Sequence, residues 1–162
     1  MAHPRHDDDA LRLAAVSARL PLGAEAAWAL VTDVRNHARW VPLTRIDSAP
    51  LLAVGDTFTA VSGPGSGRGW PGLPDRMVVE RLDPPDPAAG APGTAAYRKL
   101  GPVLLGTAGV RVAPETTSSC ILTWIEDVHL RGLPRRLTAP LLRPVLGLML
   151  RVVLRRLRRE IG

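Results

Sequence analysis

The residues best suited to chemistry in this 162-residue chain lie in one alternating run in its last third. Cys120, Leu122, Trp124, Glu126 and Val128 hold one parity of that run, and Ile121, Thr123, Ile125, Asp127 and His129 hold the other. An extended strand sends successive side chains to opposite faces, so each set shares a face. The first set is slightly the more apolar and is expected to point inward. That would set the Glu126 carboxylate among apolar side chains, where lost hydration raises its pKa and makes it a candidate general acid or base. The plainer reading pairs Glu126 with an arginine or sets it at a cavity mouth, since structural ion pairs perturb carboxylates too. With the parity reversed, Asp127 and His129 would point inward instead.

Tyr97 and Arg98 are neighbours on another extended stretch, so they point to opposite faces. Whichever points in could hydrogen-bond a ligand oxygen. A buried Arg98 would need an acidic partner or ligand, because an unpaired buried guanidinium is costly. His37 and Trp40 stand three apart at helical spacing and share a side, as residues bordering a ligand entrance would. The bland alternative makes Trp40 core and His37 a solvated surface residue. The four histidines, His3, His6, His37 and His129, are scattered, so no metal site and no cofactor are expected.

The elements that must position these groups follow from the patterning. Leu11 to Leu20 reads as a strand that Pro21 ends. Ala24, Ala27, Trp28 and Val31 form the apolar stripe of a short helix. Asp33 is a suitable N-cap for a second short helix over Val34 to Trp40. Six β-rich segments follow: Thr44 to Leu51, Thr57 to Ser62, Arg76 to Leu82, Thr94 to Leu100, Thr107 to Ala113 and Ser118 to His129. Glycine- and proline-rich turns at 54–56, 63–74 and 83–93 separate them, as in an antiparallel meander. Trp70 stands in the second of these loops and is suited to a lid, a membrane contact or simple packing on the surface.

After Gly132 and Pro134, Leu142, Leu146, Met149, Val153 and Leu157 form a stripe at helical spacing, widened by Val145 and Val152. Pro140 and Pro144 each lack an N–H, so the start of this helix is expected to kink or form a separate turn. Two short helices cannot cover a seven-stranded sheet, so the long helix must lie across it. The fold class is therefore α+β.

The composition, 46% hydrophobic and 22% charged, suits an ordinary single domain. Residues 1–10 read as a frayed polar tail and residues 11–162 as the domain. There is one cysteine, Cys120, and one lysine, Lys99. A lone cysteine allows no intramolecular disulfide, and no leader or run of about 18 apolar residues stands out, so a cytoplasmic, non-spanning protein is expected.

The net charge of +6 is uneven: residues 131–162 hold nine arginines and one glutamate, while residues 1–130 hold 12 basic and 14 acidic residues. The basic segment holds no aromatic residue for base stacking, so no nucleic-acid partner is expected. Arg151, Arg155 and Arg158 could instead touch anionic lipid. That use needs the helix's apolar stripe free, whereas the fold needs it for the core.

Three stretches carry a resemblance. LPLGAEAAWALVTDVRNHARWVPLT (20–44), DRMVVERLDPP (75–85) and LTWIEDVHLRGLP (122–134), in this element order, resemble the SRPBCC superfamily of START lipid-transfer domains, polyketide cyclases and birch-pollen allergens. The resemblance covers roughly residues 11–160. It implies a helix-grip fold, a curved seven-stranded antiparallel sheet wrapped around a long C-terminal helix, with two short helices after the first strand. It also implies a cavity between sheet and helix.

The leading expectation is a binder of a hydrophobic lipid, isoprenoid or polyketide-like molecule. Trp40, Phe58, Leu122, Trp124, Glu126, Leu142, Leu146, Met149 and Val153 would contact the ligand, with Tyr97 as a further polar contact. The second reading is a polyketide cyclase or dehydratase using Glu126, Tyr97 or Arg98. It requires at least two polar groups converging in the cavity. The third is a docking module for a membrane or acidic partner that uses the basic helix.

Overall fold

A computed structural model describes residues 13–162. The frayed tail expected at residues 1–10 lies outside them. The chain runs β1 (Ala14–Leu20), α1 (Ala24–Thr32), a 3-10 turn (Val34–Asn36), α2 (His37–Trp40), β2 (Thr44–Asp47) and β3 (Thr57–Ser62). A 3-10 turn (Ser66–Arg68) leads to β4 (Leu73–Asp83), β5 (Gly93–Pro102), β6 (Leu104–Thr116), β7 (Ser119–Leu130) and α3 (Arg135–Ile161). The strands form one antiparallel sheet in the order β1-β7-β6-β5-β4-β3-β2. Every β2–β7 neighbour is joined by a direct connection, and β1 closes the other edge against β7. This is the helix-grip architecture.

Alternation decides which face is covered. Along β7, Cys120, Leu122, Trp124, Glu126 and Val128 are all buried, and the residues between them are half-buried. The more apolar parity therefore points inward, as expected. On β5 the same alternation turns Ala95, Tyr97 and Lys99 inward and Arg98 outward. α3 lies over this inner face and packs Leu150, Val153, Leu154 and Leu157 into the core.

Three expectations need correction. The second short helix is split, because Asp33 accepts from Arg35 N at 3.2 Å and closes a 3-10 turn before α2 begins. The strand expected at Arg76 begins at Leu73, so the loop before it is shorter and Asp75 belongs to the sheet. Helical backbone runs unbroken through Pro140 and Pro144. Both prolines are exposed, so water can solvate the carbonyls that their missing N–H groups leave free. By length and apolarity α3 is also long enough to cross a bilayer, but its inner residues are built into the core.

Candidate functional site

Three buried charged side chains meet on the inner face of the sheet. Lys99 Nζ lies 2.5 Å from Asp75 Oδ2 and 3.5 Å from Glu126 Oε2. Lys99 is 6% exposed and Glu126 7%. They sit on different strands, with β6 between β5 and β7, so side chains on β6 would stand between them. The sheet register explains how they meet. Lys99 pairs with Gly106, which pairs with Val128, and Glu126 pairs with Ala108. Gly106 and Ala108 leave the inner face of β6 almost bare there. Gly106 has φ +121, and a Cβ on it would sit 2.0 Å from Asp127 O, so this position demands glycine.

The cluster has two carboxylates and one ammonium. Burial pulls the Lys99 ammonium down, but the charges of Glu126 and Asp75 outweigh it and hold the pKa above the ordinary lysine value. Lys99 is therefore a fixed cation and not a free-amine nucleophile. Burial pushes the Glu126 carboxyl up, Lys99 draws it back down, and the Asp75 charge pushes it further up. Asp75 takes the closer contact with the ammonium, and Glu126 the longer one. Glu126 Oε2 and Asp75 Oδ1 have no hydrogen-bond partner among the described residues. Such groups are costly to bury unless something else satisfies them.

These groups line an enclosed cavity of about 130 Å³ between sheet and helix. Trp124, Glu126 and Val128 form its floor, and Leu146, Met149, Leu150 and Val153 of α3 form its roof. Asp75, Met77, Lys99, Leu104 and the ends of β2 and β3 complete it. The cavity lies at the end of the sheet where β4 and β6 begin and β3, β5 and β7 finish. A wider groove of about 590 Å³ runs between β1 and α3, along Ala14, Val16, Pro140 and Gly147. It is open surface and lacks converging buried polar groups, so the enclosed cavity is the better candidate site.

Of the residues singled out in the sequence, Trp124, Glu126, Leu146, Met149 and Val153 line this cavity. Trp40, Phe58 and Leu122 do not; they are core. Trp40 donates from Nε1 to Glu160 Oε2 at 2.8 Å and ties α2 to the end of α3. Phe58 meets Tyr97 edge-on at 5.5 Å. Leu142 is half-buried and lies off the cavity wall. Tyr97 points inward but sits in the core, its hydroxyl unpartnered among the described residues and its pKa pushed up to about 12 by burial. Arg98 points outward and pairs with Glu80 at 2.5 Å, so it is removed from the site.

His37 is not a solvated surface residue. It is buried, donates from Nε2 to Val31 O at 2.7 Å, and packs 4.7 Å from the Trp124 ring. Burial lowers its pKa to about 4. Asp127 and His129, inward only in the reversed parity, lie on the outer parity, and Asp127 pairs with Arg135. Among the described residues no group of three or more His, Cys, Asp or Glu is placed to hold a metal ion.

Sequence reasoning missed Lys99 and Asp75. The signal for Lys99 was its uniqueness among arginines, combined with its place two residues after Tyr97. Asp75 was hidden because the strand was expected to begin one residue later.

Residues 13–162 match the family described as polyketide cyclase / dehydrase and lipid transport. The chain belongs to that family. It is thus a member of the SRPBCC superfamily, and its fold is a ligand-binding one. A comparison with curated proteins finds no sequence match.

Solved structures agree on the fold. A Thermobifida fusca protein shares 19% identity at a TM-score of 0.64, with 93% of each chain covered. A START superfamily protein from Mycobacterium smegmatis shares 14% at 0.61, covering 92% of this family member and 96% of the other chain. The di-domain aromatase/cyclase BexL of the BE-7585A biosynthetic pathway shares 14% at 0.61, and the match spans 45% of that chain.

Proposed function

We propose that this family member binds a hydrophobic small molecule carrying a polar oxygen function, with that oxygen set against Lys99 and Glu126. The observation that carries the reading is an apolar cavity with a buried, incompletely satisfied charged cluster at its floor. Apolar burial would supply affinity, and the cluster would fix orientation. Lys99 donates to a carbonyl or carboxylate oxygen, and protonated Glu126 can donate beside it. At about 130 Å³ the cavity is smaller than the roughly 300–1,000 Å³ of an ordinary ligand pocket. It takes the functional end of an occupant, and the half-buried Leu146 and Met149 are the part of the wall that must yield to admit more.

Native mass spectrometry of the purified protein, followed by organic extraction, tests this. A stoichiometric lipid, isoprenoid or polyketide-like molecule, lost in a Leu146→Trp variant, is the expected result. An empty protein that also fails to bind geraniol, oleate or 2-naphthol would overturn it.

One observation favours a second, catalytic reading: three ionisable groups converge where a cyclase or dehydratase needs them. In a dehydration, Asp75 would take the proton beside a carbonyl and Lys99 would hold the developing enolate oxygen. Glu126 would then protonate the departing hydroxyl, which leaves as water. Glu126→Gln would keep binding and lose turnover of a β-hydroxy ketone. Turnover unchanged in that variant would remove this reading.

A further inference from the structure

We propose that the molecule docks on an anionic phospholipid surface along the outward face of α3, whose apolar half lies at the cavity end, as does the loop that carries Trp70. The sequence posed a conflict, because one apolar stripe could not serve both core and lipid. The structure removes it, because α3 carries two stripes. Leu146, Leu150, Val153 and Leu157 face the sheet. Val145, expected to widen the inward stripe, instead faces away with Leu137, Leu141 and Leu148; the four are spaced by four, four and three residues and are 60 to 73% exposed. A helix that is apolar on both sides is normally buried on both sides.

The outward stripe changes character along the helix. Beyond Leu148 it continues at the same spacing as Arg151, Arg155, Arg158 and Arg159, all exposed. None of these four has a carboxylate partner among the described residues, although Arg135 and Arg39 elsewhere do. Apolar side chains followed by free guanidinium groups suit a surface whose interior is hydrocarbon and whose headgroups are anionic.

A second, independent feature stands at the end of the sheet where α3 begins. The loop from β3 to β4 holds Trp70, which is 62% exposed while its ring packs on Gly65, so the indole is presented on a braced turn. Ser62 pairs with Leu73, and Leu104 pairs with Leu130, so that loop and the β7–α3 turn carrying Leu133 leave the sheet at one end. The cavity lies at this end as well. Tryptophan prefers the headgroup region of a bilayer.

A second copy of the chain fits this face less well. Through this stripe it would set arginines against arginines or against leucines, and neither satisfies the charges. The docking surface holds whatever fills the cavity, so its test is separate from that of ligand binding.

The test is flotation of the full chain with vesicles of phosphatidylcholine alone and of phosphatidylcholine mixed with phosphatidylglycerol. Association with the anionic vesicles at least about tenfold stronger, and weakened by salt, is expected. The Leu141→Ser/Leu148→Ser variant should lose about tenfold, and Arg155→Glu/Arg158→Glu should lose the anionic preference. Leu51→Ser, 89% exposed in the β2–β3 connection, should change nothing. Circular dichroism melts confirm that each variant is folded. No association with anionic vesicles, or association that Leu141→Ser/Leu148→Ser leaves intact, overturns the proposal. So does a dimer in ultracentrifugation that this same double variant dissolves, without vesicle binding.

Discussion

The two ends of the sheet use the same strands for opposite purposes. At the closed end, the inward residues of β1, β6 and β7 are Leu20, Val112, Cys120 and Leu122, all 0% exposed, and Leu157 of α3 packs with them at 0%. Toward the other end the inward parity continues, but it carries Trp124 and Glu126 on β7 and Lys99 on β5. α3 follows the same gradient, from fully buried Leu157 and Val153 to half-buried Met149 and Leu146. Close packing at one end supplies the stability that lets the other end hold a charged, imperfectly satisfied cluster. Site and core are thus successive stretches of one alternating pattern.

The sharpest way to break this contrast is Lys99→Met. It leaves two carboxylates in the cavity without their cation and should cost about 3–5 kcal/mol in urea unfolding. Neutralising the whole cluster with Asp75→Asn, Lys99→Met and Glu126→Gln together should recover most of that loss while abolishing ligand orientation. If Lys99→Met alone is neutral, the cluster is not buried as described.

The closed end answers differently. Leu122→Ala should cost roughly 2–5 kcal/mol through the void it leaves, with ligand affinity unchanged once the protein is kept folded. Affinity falling in step with stability would erase the division between the ends.

His37 lies between them, against Trp124. Its folded pKa is lowered from 6.5 to about 4, so the neutral ring stabilises the fold at pH above 6.5, and that contribution is lost as pH falls toward 4. The loss should reach about 3 kcal/mol, read as a falling melting temperature over that window. His37→Gln should flatten the dependence. A profile unchanged by the substitution would place the acid sensitivity elsewhere.

Glu126→Gln should have the smallest effect on stability, about 1 kcal/mol or less, because glutamine imitates the neutral acid. The raised folded pKa of Glu126 means that its stabilisation is present at low pH and lost as pH rises through that value. Affinity for a carbonyl-bearing ligand should weaken over the same rise in the native protein and stay level in the variant. Parallel pH profiles would remove Glu126 as the titrating contact.

The element order, the inward parity of β7 and the place of α3 across the sheet follow from period-two and helical patterning, which is local. Glu126 was legible for that reason. Lys99 and Asp75 were harder, because their pairing depends on the lateral register of four strands and on the bare inner face of β6 at Gly106 and Ala108. That relation is non-local. His37 was misplaced because a three-residue spacing with Trp40 shows a shared side but not what packs on it, here Trp124 from a strand more than eighty residues away. The outward stripe of α3 was not separated from the inward one in the sequence, where Val145 was read with the core face; only the structure shows that the core does not need it.

The most direct test of the ligand cavity uses the methionines, because the chain has three and two of them, Met77 and Met149, line opposite walls. With carbon-labelled methionine methyls, NMR titration with geraniol, oleate or 2-naphthol should move the Met77 and Met149 signals together at saturable ligand concentration. If all three ligands leave both signals in place, the cavity is not the binding site and the account fails.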